Sequence, residues 1–236
     1  MIIPTTGIVF LFGAFVFIFL TRRFWQCYRR EGIDIAKFFS YSFLLIGLNY
    51  IVSGIPCLFL IENQTVWQIV YPLYVSLMIG GWFLFSYSVF WERFKNYREI
   101  IATLFSIIFL SIVFSLLVLP PPHYFYTDGT LNWEVEESLI IPAFLMMLLV
   151  IIPAIVIFFQ EAKRTGNKKA KIRSLGFGIA LTLIPLGVII DFLLLTVFKV
   201  HPIYSDLNWF IMISILAITL IVTWGPPRPK YVTKIE

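Results

Sequence analysis

Seven long apolar runs, separated by short polar connections, make up most of this chain. They lie near residues 3–20, 37–61, 67–90, 100–120, 138–160, 174–198 and 204–224. Each run is close to the length of roughly 20 residues that an α-helix needs to cross about 30 Å of hydrocarbon. The runs are continuously apolar and do not alternate with polar positions, which favours helices over the strands of a barrel. We therefore predict an all-α polytopic membrane protein with seven spanning helices.

The overall composition supports the same class. Hydrophobic residues make up 60% of the chain and charged residues only 13%, whereas a soluble domain needs a charged surface. The longest connection, residues 120–138, is too short to form a separate soluble domain. We predict one membrane domain over residues 1–236, of which 225–236 form a short cytoplasmic tail.

The basic residues are distributed unequally between the connections. All but Lys199 of the eighteen Lys and Arg residues fall in the first, third and fifth connections or in the tail. Basic residues near the ends of spans stay on the cytoplasmic side, so the N-terminus is predicted outside and the C-terminus inside. The same asymmetry accounts for the net charge of +5. The expected partner is membrane lipid, with no role for nucleic acid.

The fifth connection carries the largest group of cations. Its members are Lys163, Arg164, Lys168, Lys169, Lys171 and Arg173. Two interpretations stay open: a topological anchor at the inner leaflet, or a docking surface for a cytoplasmic or membrane protein partner.

Prolines and glycines modify the predicted helices. The prolines are Pro56, Pro72, Pro142, Pro153 and Pro185. Each removes a backbone donor and bends its helix, either as an ordinary feature of membrane helices or to open a cavity in the outer half. Small residues let helices approach closely. Close contacts are predicted at Gly47, Gly54, Gly80, Gly81, Gly176 and Gly178.

The outer connection between spans four and five is rich in aromatic and acidic residues. Asp128-Gly129 is a turn signal, because these residue types favour the tight turns of hairpins. We predict that Leu131–Val135 pairs with residues before the turn as a short hairpin.

Asp191 is the only charged residue well inside a predicted span. An ionised Asp at the bilayer centre costs about 2.5–3.5 kcal/mol, so this side chain should face the bundle and have partners. Residues at similar depth are Asn49, Tyr50, Ser53, Tyr71, Tyr74 and Asn208. The predicted ligand-binding residues are Asp191, Asn49, Tyr50, Tyr71, Tyr74 and Asn208. The alternative is a buried Asp that holds helices together by hydrogen bonds.

Several residue types that membrane enzymes need are missing from the predicted spans. No His lies within a span, and membrane haem and metal sites rely on His. Span seven has no Lys for a retinal Schiff base. No acid–base or nucleophile pair converges at one depth. We therefore expect no cofactor, no metal ion and no enzymatic activity.

The chain resembles the seven-helix N-terminal sensor region of bacterial and archaeal membrane histidine kinases. The matching segments are TVWQIVYPLYVSLMIGGWFLFSYSVF, PPPHYFYTDGTLNWEVE, RSLGFGIALTLIPLGVIID and HPIYSDLNWFIMISILAITLIV. The topology, the basic fifth connection, Pro185 and the polar residue after it are also similar. The resemblance implies a prokaryotic, receptor-like sensor.

One departure from that pattern concerns the output. Such regions continue from span seven as a helix into a kinase, whereas three prolines in Pro226–Pro229 exclude a continuing helix. We therefore expect a sensor that binds a small or lipidic ligand in the outer half and signals through cytoplasmic loops to a separate partner. The alternatives are a structural or accessory subunit of a larger membrane complex and a small transporter or channel.

Overall fold

The fold is a bundle of long helices with one small hairpin. The computed structural model describes residues 4–32, 34–59, 63–93, 96–118, 123–125, 130–133 and 137–224. Within these ranges the helices are α1 (Thr5–Glu31), α2 (Asp34–Phe59), α3 (Gln64–Arg93), α4 (Arg98–Val118), α5 (Glu137–Arg164), α6 (Lys168–Phe192) and α7 (Ile203–Trp224). A π-helical turn, Leu193–Val197, follows α6, and the strands are β1 (His123–Phe125) and β2 (Leu131–Trp133).

Five of these helices contain segments long and apolar enough to cross a membrane. The segments are Thr5–Arg30, Ala36–Phe59, Thr65–Phe85, Lys168–Leu195 and Ile203–Thr223. A shorter apolar segment, Ala102–Ser115, lies in α4. The predicted class, an all-α protein with membrane-spanning helices, is confirmed at this level.

The helices pack as a closed ring with one helix on its outside. Following the ring, α1 packs on α2, α2 on α3, α3 on α5, α5 on α6, α6 on α7, and α7 again on α1. α4 packs mainly on α3 and exposes apolar side chains such as Leu110 and Phe114. Lipid-facing surface of this kind is expected of a helix at the rim of a membrane bundle.

Glycines set the closest approaches between neighbouring helices. Gly47 of α2 lies against Ile18 of α1, where an added β-carbon would meet Ile18 Cγ1 at 3.1 Å. On α3, a β-carbon at Gly81 would lie 2.6 Å from Ile46 Cγ1. These contacts are among those predicted from the sequence, whereas Gly80 has no comparably close neighbour.

Two helices extend beyond the apolar runs that predicted them. α1 continues through the basic segment to Glu31, because Arg, Gln and Glu are good helix formers in water as well as at a membrane surface. It ends at Gly32, which has φ 68° and donates its N–H to the Tyr28 carbonyl at 2.9 Å. α6 begins directly after Asn167, whose side-chain oxygen accepts the Lys169 N–H at 3.0 Å.

The predicted hairpin is present between α4 and α5. β1 and β2 pair in antiparallel register, with Phe125 opposite Leu131. Leu131 is buried and packs in one cluster with Trp67 at the start of α3. Asp128-Gly129 and Val135, which belonged to the same prediction, lie outside the described residues. The hairpin therefore covers the end of the bundle at which α1, α3 and α7 begin, which we call the outer end.

Phenylalanine rings fill the opposite, inner half of the bundle. The fully buried rings include Phe24, Phe39, Phe43, Phe85 and Phe177. The Phe39 ring lies 4.5 Å from that of Phe85 and 5.0 Å from that of Phe177, measured between centroids. This cluster joins α1, α2, α3 and α6 in one apolar core.

Candidate functional site

Buried polar groups from three segments meet at the outer end. Thr6, at the start of α1, donates its hydroxyl to Asp206 Oδ2 at 2.7 Å and accepts the Leu131 N–H at 3.0 Å. Thr6 is 3% exposed and Asp206 8% exposed. We call this set of Thr6, Leu131 and Asp206 the outer junction. It ties the hairpin to both the first and the last helix.

Asp191 lies in the last turn of α6, and its half-buried carboxylate faces α7. It accepts a hydrogen bond from the Ser205 hydroxyl, and the Trp209 side chain lies nearby. The partners predicted for Asp191 were Asn, Ser and Tyr residues of other helices. The structure supplies its partners from the first turns of α7 instead, because the short connection after α6 brings these turns to the depth of Asp191.

A π-helical turn, Leu193–Val197, begins two residues after Asp191. The N–H of Phe198 reaches back five residues to the Leu193 carbonyl, at 2.9 Å. Just beyond it, Lys199 adopts a positive φ of 49°. Turns of this kind widen a helix and occur often at functional sites. Nothing in the sequence LLLTV signals this turn.

Asn208 holds α7 against α6. Its side-chain N–H donates to the Gly187 carbonyl at 3.0 Å, and the residue is buried. A β-carbon at Gly187 would lie 3.3 Å from Met212 Cγ, so the two helices touch closely at this level. Asn208 therefore joins α7 to α6 by its own hydrogen bond. This hydrogen bond lies one helical turn farther from the outer end than the one that Asp191 makes.

A polar pair with unused hydrogen-bonding capacity lies between α2 and α3. Asn49 and Ser53 are both 0% exposed and stand one helical turn apart on α2. The Asn49 side-chain N–H contacts Met78 Sδ at 3.7 Å. Asn49 Oδ1 and Ser53 Oγ have no hydrogen-bond partner among the described residues. Each such buried group costs about 1–3 kcal/mol relative to a satisfied one.

Three tyrosines line the same region. The Phe10 ring of α1 lies 5.8 Å from the Tyr50 ring and 6.1 Å from the Tyr74 ring. Tyr71 stacks on Tyr74 at 6.3 Å. Tyr74 also lies within electrostatic range of Asp191. Tyr74 thus belongs to one aromatic group with Phe10 of α1 and Tyr71 of α3.

The predicted residues therefore form two groups. The first group lies around the outer halves of α1, α2 and α3 and consists of Asn49, Tyr50, Tyr71 and Tyr74. We call these four residues, together with Ser53, the tyrosine seam. Asp191 and Asn208 lie between α6 and α7. Four residues of these groups were not predicted from the sequence: Thr6, Ser205, Asp206 and Trp209. Asp206 was missed because an acidic residue at the start of an apolar run is ordinarily explained by the helix dipole.

The chemistry that this arrangement offers is recognition through hydrogen bonds and aromatic faces. Within the part of the chain that the structure describes, no three His, Cys, Asp or Glu side chains come together as they would to hold a metal ion. Comparisons of the chain with protein-family models, with curated proteins and with solved structures find no match. A functional proposal must therefore be built on the geometry of the seam and the junction.

Proposed function

We propose that the protein is a receptor-like sensor that crosses the cell membrane seven times, with its N-terminus outside and its C-terminus in the cytoplasm. It binds a small or lipidic ligand at the tyrosine seam and signals to a separate partner protein. One feature supports this most directly: Asn49 and Ser53 place buried polar atoms without partners, among the described residues, in a wall of tyrosines.

The arrangement of the two ends supports this topology. Thr6, Leu131 and Asp206 come from segments that the charge pattern assigns to the outside, and they meet in one junction. Arg29 and Lys163 lie in the last turns of α1 and α5, at the other ends of their helices. Basic residues there match the side that faces anionic lipid.

A sensor needs two packings of similar free energy, and its ligand must prefer one of them. The closed packing carries Asn49 Oδ1 and Ser53 Oγ without partners among the described residues. Each unsatisfied group raises the free energy of the closed packing by about 1–3 kcal/mol. The closed packing is therefore closer in free energy to a packing in which α2 and α3 separate at the outer end. A ligand that bonds to these atoms would stabilise the separated packing.

Asp191 links α6 to α7 close to the tyrosine seam. Tyr74 lies within electrostatic range of Asp191, and Asp191 accepts a hydrogen bond from the Ser205 hydroxyl of α7. Movement at the seam would thus shift α6 relative to α7, and α6 begins in the basic fifth connection. Exposed cations there are Lys163, Arg164, Lys168, Lys169 and Lys171, with Arg173 half-buried. In this proposal they form the docking surface for an acidic partner.

The two native cysteines allow a direct test. Cys57 is buried near the outer end, whereas Cys27 is half-buried near the inner end of α1. Intact cells would be treated with a membrane-impermeant maleimide in the presence of small amphiphiles with cationic, neutral or anionic head groups. We expect at least one probe to change the labelling rate of Cys57 by about tenfold, the effect of roughly 1.4 kcal/mol on an opening equilibrium.

Cys27 serves as the internal control. It should react only after permeabilisation, at a rate that no probe changes. Equal changes at Cys27 and Cys57 would indicate general loosening of the bundle and contradict the proposal. So would the absence of any response at Cys57, and labelling of Cys27 in intact cells would refute the orientation.

A further inference from the structure

We infer that the inner ends of α1 and α2 form a binding site for the head group of an anionic phospholipid, centred on the ammonium group of Lys37. This site lies at the opposite end of the bundle from the tyrosine seam and does not depend on the ligand proposed above. Three features carry the inference: a lysine held by aromatic rings, further cations on the same face, and exposed apolar side chains that continue from it along α2.

Lys37 lies at the end of the first turn of α2, where the apolar segment Ala36–Phe59 begins. Its Nζ atom lies 5.6 Å from the centroid of the Tyr28 ring and 6.0 Å from that of the Tyr41 ring. Ring faces at these distances attract a cation and restrict its position. Among the described residues Lys37 makes no ion pair. Its charge is therefore held in place without a counter-ion from those residues.

Trp25 completes the aromatic surroundings of this ammonium group. Its ring lies 5.4 Å from the Tyr28 ring and 6.0 Å from the Tyr41 ring, measured between centroids. Trp25 is 36% exposed and Tyr41 40% exposed. Exposed Trp and Tyr side chains are typical of the boundary between hydrocarbon and lipid head groups. We call Lys37 and these three rings the inner cage.

Further cations stand beside the inner cage. Arg22 and Arg29 lie three residues before and four residues after Trp25, which places them on its side of α1. Both arginines are exposed. The acidic side chain described at the start of α2 is the exposed Asp34, one turn before Lys37. Positive charge thus predominates among the described side chains. The ammonium, guanidinium and indole groups can all donate hydrogen bonds to phosphate oxygens.

Apolar side chains continue from the inner cage along the outside of α2. Tyr41, Leu44 and Leu48 follow Lys37 at spacings of three or four residues and thus lie on one face. Leu44 and Leu48 are each 38% exposed, and Ile18 of the neighbouring α1 is 41% exposed. This surface suits the acyl chains of a lipid whose phosphate lies at the cage. An acidic segment of a soluble protein would leave it uncovered, so the combination favours a lipid.

The test compares two lipids that share their chains and differ in the head group: dioleoylphosphatidylglycerol, which is anionic, and dioleoylphosphatidylcholine, which has no net charge. Native mass spectrometry of the full chain, released from uncharged detergent micelles, would count the lipids retained at increasing lipid concentration. We expect the first phosphatidylglycerol to bind at least about tenfold more tightly than the first phosphatidylcholine. In Lys37→Gln its apparent Kd should rise at least about fivefold.

Two further variants keep the test decisive. Lys199→Gln removes one positive charge from an exposed side chain at the outer end, and it should leave phosphatidylglycerol binding unchanged. This control separates the inner cage from general attraction by the net charge of the protein. Trp25→Leu keeps an apolar side chain but removes the ring and its indole N–H. It should weaken phosphatidylglycerol binding even if Lys37→Gln does not fold.

Equal binding of the two lipids would overturn the inference, as would unchanged phosphatidylglycerol binding in Lys37→Gln or in Trp25→Leu. Equal losses in Lys37→Gln and Lys199→Gln would overturn it too. Two soluble competitors represent the other candidate occupants, glycerol 3-phosphate for a free phosphate and hexaglutamate for an acidic protein segment. Displacement of phosphatidylglycerol by either one at an equal concentration would contradict the assignment to a lipid. The receptor proposal is tested separately, by the labelling of Cys57.

Discussion

The inner and outer halves of this bundle are packed by different chemistry. In the inner half, Phe39 lies among phenylalanine rings, and the Ser42 hydroxyl donates to the Gly81 carbonyl at 2.6 Å. In the outer half, Asn49 and Ser53 are equally buried, yet each keeps a polar atom without a partner among the described residues. The polar side chains of the two halves are therefore equally buried, but those of the outer half lack hydrogen bonds that Ser42 has. In the proposed sensor, the inner half holds the bundle together and the outer half changes its packing.

This difference restricts where the bundle can open. Close-packed rings lose many contacts when they separate, and lipid does not replace them with equal density. At the tyrosine seam, separation of α2 from α3 also relieves two unsatisfied groups. Opening at the outer end is thus less costly than opening at the inner end.

Truncation of the central inner ring should give the largest effect. Phe39→Ala leaves a cavity bordered by Phe85 and Phe177, and we expect the free energy of unfolding to fall by about 3–5 kcal/mol. Reversible unfolding in mixed micelles of mild and denaturing detergent would measure it. Phe114→Ala is the matched control, since Phe114 is 68% exposed on α4 and should cost little. Similar losses in both variants would remove the basis for a stable inner core.

The outer junction should give an intermediate effect. Thr6→Val keeps the shape of the side chain but deprives the Asp206 carboxylate of one donor and the Leu131 N–H of its acceptor. We expect a loss of about 2 kcal/mol in the same unfolding assay. Proteolysis should also cut the segment around Thr130 sooner than in the wild type. A variant as stable and as resistant as the wild type would show that the junction does not hold the hairpin.

The smallest effect should have the opposite sign. Asn49→Leu replaces a partly satisfied buried amide by an apolar side chain of similar size, and we expect a gain of about 1 kcal/mol. Labelling of Cys57 should slow correspondingly. Asn208→Leu is the contrasting variant, because Asn208 donates to the Gly187 carbonyl and its loss should destabilise the protein. If both substitutions destabilise equally, the seam is not a strained region.

Hydropathy predicted the helices because the bilayer imposes their length and composition, but it did not predict where they end. α1 runs to Gly32 through residues that are too polar for lipid and still favour a helix. Glycine contacts such as Gly47 against Ile18 could be predicted, since close helix approach in lipid needs small residues. The sequence pattern of a single helix does not show which neighbouring helix its glycines face, because that depends on the order of the helices around the ring.

The candidate site was predictable only in part. The cost of a charge in hydrocarbon pointed to Asp191, but its neighbours, Ser205 and Trp209, depend on how α7 folds back against α6. The atoms of Asn49 and Ser53 that lack hydrogen-bond partners could not be identified from the sequence. Whether a buried polar atom has a partner depends on which groups the fold places next to it. The π turn after Asp191 has no residue signature either.

The closure of the ring by α1 and α7 has a consequence for biosynthesis. Thr6 is separated from its acceptor on Asp206 by 200 positions. At about 5–20 residues per second, a ribosome needs roughly 10–40 s to add that much chain. During this interval α2 can already cover one side of α1, while the surface that α7 will occupy stays open to lipid or to an insertion factor. The nascent chain is therefore most vulnerable to misassembly just before its last helix is made.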